Sequence, residues 1–241
     1  MDLSQLYMLE MMRKRRLADT FPAYRTDDLV LMLDGIKNQR TGGHNPSATV
    51  WEDLAGNMDV TLFNATWGAD YVQFLGDANS YGVGTTWNFT SGTTIEIVFR
   101  PTADLTPVIG KALVSFGYNG PVTNNTFLLA TSQYLRLFMS SNTNIGTGVP
   151  VNQISYTGFT SGILNQDGNT ITHAQTAVLG PSIAKFTLAG LWSDSSKTGM
   201  HKTFPLHGRI YAVRVYDANL TAEELYAHWL IDKARFNIPE A

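Results

Sequence analysis

Short segments with apolar residues at every second position recur through most of this chain, and turn-forming residues separate them. Residues 94–100 place Ile95, Ile97 and Phe99 in this pattern, and residues 211–215 repeat it near the C-terminus. A period of two is typical of a β-strand that buries one face. Because little helical sequence lies between these segments, the pattern predicts an antiparallel sandwich or barrel rather than βαβ units.

Further strands are predicted from related signals. Leu29–Leu33 is a continuous apolar run, as expected for a buried strand. A loop rich in Gly and Asn follows it, over residues 35–48. Asp167-Gly168 lies between two apolar pairs and predicts a two-residue hairpin. The other predicted strands cover residues 71–75, 112–118, 127–131, 134–140, 153–159 and 186–192.

The composition fits this fold class and argues against several others. The 241 residues, 44% of them hydrophobic, suffice for one large all-β domain with a substantial core. A net charge of −3 provides no general attraction to nucleic acid or to anionic membranes. No apolar run approaches the roughly 18 residues of a membrane span. The absence of cysteine excludes disulfides and thiolate metal sites.

The N-terminal residues 3–18 contain good helix formers and neither Gly nor Pro, so they predict a helix. This helix is apolar on two sides, one including Leu6 and the other including Leu9 and Met12. One domain surface covers only one side of a helix. We therefore expect an arm that is anchored on a neighbouring protein through Leu6, Leu9 and Met12. The alternative is a helix that packs in a groove of its own domain.

A second helix is predicted at the C-terminus. Thr221 and Glu224 have the spacing of a capping box, and Trp229 lies on the apolar stripe that follows. We expect Trp229 to pack this helix onto the sandwich. The predicted organisation is a helical arm, residues 1–25, followed by one domain, residues 26–241.

Several segments resemble the laminin-G-like, concanavalin-like jelly-roll domains that are frequent in bacteriophage and bacterial surface proteins. They are Leu29–Ile36, Trp51–Asp59, Thr94–Phe99, Gly208–Asp217 and Leu220–Glu224. The resemblance covers about residues 29–238 and implies a two-sheet antiparallel jelly roll in which the strand at 209–216 lies beside the strand at 29–33. This fold carries lectins, glycosidases, adhesion modules and virion proteins alike, so it implies no single function.

One loop is a candidate calcium site. Asp53, Asn57 and Asp59 supply oxygen ligands of the kind that calcium prefers. The loop departs from the family pattern at Ala55 and Met58, where the resemblance implies Ser and Gly. The alternative is that these three polar residues only form a turn.

Aromatic residues near predicted loops are candidates for sugar binding. Trp51, Trp67, Trp87 and Tyr118 lie near segments rich in Asn and Thr. Sugar faces stack on aromatic rings while hydroxyl groups need hydrogen bonds, so this mixture suits a glycan site. Core packing is the alternative for each of these residues.

Catalytic signals are missing from the sequence. Glycosidases on this fold use a close pair of carboxylates, whereas Glu96 has Thr94 and Val98 two positions away and is predicted to be a single acid on a solvated sheet face. The histidines lack metal-protease spacing, and no Gly-x-Ser-x-Gly motif occurs. We therefore expect a protein that is not an enzyme.

The leading hypothesis is a structural protein of a bacteriophage virion, assembled in the host cytoplasm. The arm would bind other virion proteins, the protein would be a homo-oligomer, and the loops would face outward, with host glycans as a possible ligand. This hypothesis fits the absence of a secretory signal, because Asp2 comes first and the basic residues follow the apolar stretch. The alternatives are a carbohydrate-binding module of a bacterial surface protein and, third, a glycoside hydrolase.

Overall fold

The computed structural model describes residues 24–87, 92–102, 111–118, 126–130, 135–138, 142–144, 146, 148–173, 184–192, 200–201 and 205–239. The predicted anchoring residues Leu6, Leu9 and Met12 lie outside this part of the chain. Within it, most of the structure is β-strand, and one helix lies near the C-terminus. This helix is neither long nor apolar enough to cross a membrane.

Two eight-stranded antiparallel sheets form the body of the domain. Sheet A contains, in spatial order, β14 (Asn169–Thr172), β13 (Ile163–Gln166), β12 (Ser155–Thr160), β7 (Thr94–Pro101), β18 (His207–Tyr216), β5 (Val72–Leu75) and β4 (Thr66–Trp67), and β1 (Leu29–Asp34) also pairs with β18. Sheet B contains β11 (Asn142–Asn144), β10 (Leu135–Phe138), β9 (Thr126–Ala130), β8 (Lys111–Tyr118), β15 (Ala184–Leu188), β6 (Tyr81–Trp87), β3 (Val60–Phe63) and β2 (Val50–Trp51). A separate ribbon contains β16 (Leu191–Trp192) and β17 (Met200–His201).

The two sheets pack face to face around one hydrophobic core. Ile95, Ile97 and Phe99 of β7 enter it from sheet A, and Phe116 and Phe186 enter it from sheet B. Burial of these apolar side chains from both sheets is the main force that holds them together. The predicted two-sheet antiparallel sandwich is confirmed.

The first and last strands are neighbours, as the resemblance implied. β1 pairs antiparallel with the second half of β18, so that Leu33 lies opposite Val213, whereas β5 pairs with the first half of β18. The predicted hairpin is also present, because Asp167 and Gly168 have φ angles of 50° and 88° between the paired strands β13 and β14. Two positive φ angles are the signature of the type I′ hairpin turn.

Helix α1 (Ala222–Phe236) covers the outer face of sheet A. Thr221 and Glu224 form the predicted capping box, and Asn237 ends the helix in the left-handed conformation. Trp229 packs the helix onto the sheet, as predicted, and is 7% exposed. A Cβ atom at Gly168 would lie 2.7 Å from the Trp229 ring, so the hairpin glycine also makes room for the helix.

The outer face of β7 differs from the prediction. Glu96 was expected on a solvated face, but it is fully buried because α1 and the segment around Tyr24 cover this part of sheet A. Tyr24 and Arg25, the last two residues of the predicted arm, both contact residues of α1. The segment that leads out of the arm is therefore packed against the domain.

Candidate functional site

Trp51 and Trp67 form part of the packing at one edge of the sandwich. Trp51 is fully buried in the core and donates its indole N–H to the carbonyl oxygen of Asp34 at 3.1 Å. Trp67 is half-buried, lies edge-on to Trp51 at 5.2 Å between ring centroids, and donates to the carbonyl of Ala48. Trp51 is therefore a core residue, and a sugar cannot reach it.

The other two aromatic candidates occupy one row of sheet B. Trp87 of β6 and Tyr118 of β8 both lie opposite Ala184 of β15, one on each side. Their side chains are outside the described part of the chain. Their use in sugar binding stays a prediction.

The candidate calcium loop is organised around the buried carboxylate of Asp53. Its Oδ1 accepts hydrogen bonds from the backbone N–H groups of Met32 (2.7 Å) and Ala55 (2.9 Å). Its Oδ2 accepts from the N–H groups of Asn57 (2.7 Å) and Met58 (2.8 Å). Four donors therefore surround the two oxygens, which leaves no lone pair directed at an ion.

The remaining predicted ligands are also used within the loop. Asp59 Oδ1 accepts from the N–H of Asp53 at 2.9 Å and forms an ion pair with Arg40. Asn57 donates its side-chain amide to the carbonyl of Val30 at 3.0 Å. Calcium needs six to eight oxygen ligands. These residues do not fit it, and the described residues contain no group of three or more His, Asp or Glu placed to hold a metal.

A pair of aromatic rings, one exposed and one half-buried, lies on the outer face of sheet B. On β3, Val60 and Leu62 enter the core while Thr61 and Phe63 point away from it, and Phe63 is 42% exposed. Phe63 lies opposite Tyr81 of β6, and their rings stack with centroids 4.8 Å apart and an interplanar angle of 25°. Few large apolar side chains of the described residues are this exposed.

Polar groups border this aromatic pair. The hydroxyl of Ser80 donates to the carbonyl of Asn64 at 2.8 Å and thereby holds the loop at 76–80 against the end of β3. The side chains of Asn64, Asp77 and Asn79 are exposed there. The N–H of Asn79 donates to Asp77 Oδ1 at 2.7 Å, which fixes the loop. We call this surface the aromatic corner. It consists of Phe63, Tyr81, Asn64, Asp77 and Asn79.

The sequence prediction did not include the aromatic corner, because the aromatic candidates were those near predicted loops and residues 60–63 were not predicted to be a strand. The usable signal was the alternation over Val60–Phe63, because Phe63 points to the same face of the strand as the polar residue Thr61. An aromatic side chain on the face that otherwise carries polar residues is expected to be exposed.

A second group of polar side chains lies buried between sheet A and α1. Glu96 of β7 accepts from Arg214 Nε at 2.8 Å, and His228 Nδ1 lies 3.0 Å from Glu96 Oε1. The hydroxyl of Tyr156 also donates to Glu96 Oε1. Burial alone would raise the pKa of Glu96, but the Arg214 charge and the hydrogen bonds from His228 and Tyr156 lower it to about 2.

The same arginine joins the sheet to the helix. Arg214 pairs with Asp232 of α1, and both side chains are at most 1% exposed. The ring of Tyr24 lies under the Arg214 guanidinium at 4.2 Å, and its hydroxyl donates to Asp232. We call Glu96, Arg214, Asp232, His228, Tyr156 and Tyr24 the buried ion network. Because solvent does not reach Glu96 or Asp232, the network is suited to holding the helix rather than to acting on a substrate.

The fold is shared with proteins that handle carbohydrates, and the likeness is one of structure. No protein-family model and no curated protein matches the sequence. A Trypanosoma rangeli sialidase solved with sialic acid is similar with a TM-score of 0.64 and 18% identity, over 88% of this chain and 34% of the sialidase. The chain thus spans about a third of that enzyme's length.

Two further structures are similar to this chain. Domain 4 of AbnA, a GH43 extracellular arabinanase from Geobacillus stearothermophilus solved with arabinotriose, has a TM-score of 0.56 and 16% identity over 83% of this chain and 97% of that domain. The binding domain of botulinum neurotoxin serotype D/C has a TM-score of 0.60 and 13% identity over 86% and 52%. At these identities the likeness establishes a shared β-sandwich fold.

Proposed function

We propose that this chain is a carbohydrate-binding domain of the concanavalin-like jelly-roll type, which binds sugar at the aromatic corner without hydrolysing it. The observation that carries the proposal is the stacking of the exposed Phe63 ring on the half-buried Tyr81 ring. Sugar faces carry C–H groups that pack on aromatic rings, and sugar hydroxyls need polar partners. Asn64, Asp77 and Asn79 provide amide and carboxylate groups beside the pair.

The similar structures support this proposal at the level of the fold. The arabinanase domain was solved with arabinotriose and the sialidase with sialic acid. Sandwiches of this shape therefore occur in proteins that bind saccharides. The sugar that this chain binds is left to experiment, because a fold alone does not determine a ligand.

The proposal favours binding over hydrolysis because of where the acidic side chains lie. A glycosidase needs two carboxylates that flank a bound sugar. Glu96 and Asp232 are fully buried and are joined through Arg214. We therefore expect no release of reducing ends from polysaccharides. Release by the purified protein, abolished by Glu96→Gln without loss of fold, would favour the glycoside hydrolase instead.

The experiment is a binding screen on immobilised glycans, followed by titration calorimetry with the best ligand. Phe63→Ala and Tyr81→Ala should each weaken binding at least tenfold, because each change removes one of the two rings on which the sugar would pack. Tyr226→Ala is the matched control, since Tyr226 is a comparably exposed aromatic residue (45%) on α1.

Three outcomes separate the possibilities. Loss of binding in the two corner variants, with the control unchanged, supports the proposal. Equal affinity in all variants places any sugar site elsewhere and overturns the assignment to the aromatic corner. Absence of binding to every glycan contradicts a carbohydrate-binding function.

We further propose, as the finer hypothesis, that this domain belongs to a bacteriophage virion, to which the N-terminal arm attaches it as part of a homo-oligomer. Tyr24 and Arg25, the last two residues of the proposed arm, contact α1 and so join the end of the arm to the domain. A carbohydrate-binding module of a bacterial surface protein is the alternative. Detection of the protein in purified virions would separate the two.

A further inference from the structure

Two arginines face each other directly on the outer face of sheet A. Arg100 of β7 and Arg209 of β18 are paired in register, next to the core residues Phe99 and Ile210, which are themselves paired. Both arginines are half-buried. Like charges at directly opposed positions of an antiparallel pair are destabilising unless another group compensates them.

Neutral groups hold the two guanidinium groups in place. Arg209 Nε donates to the side-chain oxygen of Gln73 at 3.0 Å, and its guanidinium carbon lies 4.2 Å from the centre of the Tyr71 ring. Arg209 and Arg100 both act on the hydroxyl of Tyr211 and favour a lower pKa for it. Burial raises the pKa of Tyr211, and the charge of Asp70 raises it further, so this phenol stays neutral and does not balance the two charges. Asp70 forms no ion pair within 4.0 Å with either arginine.

The pair differs from the other arginines whose side chains the structure describes. Arg25, Arg40, Arg214 and Arg235 each form an ion pair with a carboxylate. No carboxylate of the described residues is found within 4.0 Å of Arg100 or Arg209. In addition, the Nε atom of Arg100 is buried and has no hydrogen-bond partner among the described residues. A buried donor without a partner needs an explanation.

The geometry points to a binding site for an oxyanion, either the carboxylate of an acidic sugar or an inorganic anion such as sulfate, between Arg100 and Arg209. Guanidinium groups present paired N–H donors that match the oxygens of carboxylates and sulfates. A bound anion would compensate the facing charges and supply an acceptor near Arg100 Nε. Partial exposure of both arginines leaves the site open to solvent.

This site is separate from the aromatic corner and does not depend on the proposed function. Arg100 and Arg209 lie on the outer face of sheet A, whereas Phe63 and Tyr81 lie on the outer face of sheet B. Variants of the arginines should therefore leave neutral-sugar binding unchanged. Phe63→Ala should leave anion binding unchanged, so the two assignments fail or succeed separately.

The test uses two probes on the full chain. Sodium sulfate is titrated against sodium chloride at equal ionic strength, and an oligogalacturonate is compared with a neutral galacto-oligosaccharide of the same length. Wild-type protein should bind saturably, as measured from the NMR signals of the arginine side chains. Arg100→Gln and Arg209→Gln should weaken binding at least tenfold, and the control Arg40→Gln should not.

The two probes distinguish an acidic sugar from a free inorganic anion, and the variants test whether the anion binds between the two arginines. Binding of the oligogalacturonate supports an acidic sugar ligand, and binding of sulfate alone supports a free inorganic anion. Arg209→Lys keeps the charge and the fold but removes the planar donor pair, so it should weaken binding too. Equal binding by all variants overturns the proposal.

A competing explanation is an internal carboxylate. Asp104 follows Arg100 by four positions in the sequence and could serve as its counter-charge. If wild-type protein binds neither probe and Asp104→Asn creates saturable binding, the protein itself fills the site and the proposal is overturned. If Asp104→Asn leaves the wild-type affinity unchanged, the site is open to an external anion.

Discussion

The backbone N–H of Arg25 donates a hydrogen bond to Nε2 of His228 at 3.1 Å. Nε2 must therefore carry a lone pair, which puts the imidazole proton on Nδ1, where it faces the carboxylate of Glu96 at 3.0 Å. His228 thus connects the end of the N-terminal arm to the buried ion network.

The effect of a His228 substitution on stability should depend on whether the new side chain keeps both hydrogen bonds. His228→Leu removes the acceptor for Arg25 and the donor for Glu96, and it should lower the free energy of unfolding by about 1–3 kcal/mol, the usual cost of unsatisfied buried groups. His228→Gln has one donor and one acceptor on its amide and should recover at least half of this loss. Urea denaturation measures both. Equal stability of the two variants would contradict the hydrogen-bonding role.

Arg214 should be the most sensitive residue of the buried ion network. Arg214→Met leaves the carboxylates of Glu96 and Asp232 buried without their cation, and such a change typically costs about 3–5 kcal/mol. Arg40→Met breaks the exposed pair with Asp59 and should cost at most about 1 kcal/mol. Chemical denaturation of the two variants should show this contrast. A loss below about 1 kcal/mol for Arg214→Met would contradict the account.

The stability of the domain should fall in acid because of Glu96. Its pKa is about 2 in the folded protein and near 4.5 when unfolded, so the unfolded state binds the proton more readily. The stabilisation by the carboxylate is therefore complete above pH 4.5 and is lost as the pH falls toward 2. A lowering of the Glu96 pKa by this amount corresponds to on the order of 3 kcal/mol of folding stability. Denaturation midpoints between pH 5 and 2 should fall less steeply in Glu96→Gln than in wild type.

The fold was largely predictable from the sequence, because alternation and turn signals are local. The strands at Tyr81–Trp87 and Val60–Phe63 were missed. In the former, glycines occupy the core-facing positions, and a Cβ atom at Gly82 would lie 2.9 Å from Val60. Where glycines occupy the core-facing positions of a strand, neighbouring side chains fill the space beside them. Such a strand shows no apolar alternation, so its own sequence does not reveal it.

The buried ion network was not predictable for a different reason. Glu96 has no second acid two positions away on its strand, and its partners Arg214 and His228 lie more than a hundred positions away in the sequence. Only the pairing of β7 with β18 and the docking of α1 bring them together. Sequence spacing along one strand contains no information about such contacts.

Asp53 should stabilise the loop through its hydrogen bonds and not through calcium. Asp53→Ala removes the acceptor of four backbone N–H groups and should destabilise the protein by on the order of 3 kcal/mol, since hydrogen bonds to a charged group each contribute about 1.5–3 kcal/mol. Addition of chelator should leave the melting temperature of wild-type protein unchanged. A lower melting temperature in chelator, absent in Asp53→Ala, would restore the calcium hypothesis. Asp27→Asn, at an exposed position outside this loop, is the control for loss of charge.

Tyr24 lies at the boundary between the arm and the domain. Tyr24 contributes its ring beneath Arg214, donates to Asp232 and accepts a hydrogen bond from Arg235 at 3.0 Å. Removal of residues 1–23 leaves all of these contacts in place, so the truncated protein should unfold within about 1 kcal/mol of wild type in urea and should still bind sugar. Tyr24→Ala should cost more than the truncation, about 1–3 kcal/mol, because it removes the ring beneath Arg214, the hydrogen bond to Asp232 and the hydrogen bond from Arg235, while Asp232 keeps Arg214 and Arg235 keeps Asp34.

The same truncation tests the role of the arm. If Leu6, Leu9 and Met12 anchor the protein on a particle, the version that lacks residues 1–23 should remain folded yet fail to assemble with its partners, as measured by co-sedimentation with virions. The truncated protein retains Tyr24 and its contacts with α1, so any loss of assembly results from the missing residues 1–23. A truncated protein that unfolds would mean that the N-terminal helix packs in a groove of its own domain. A folded one that still assembles would rule out anchoring by the arm.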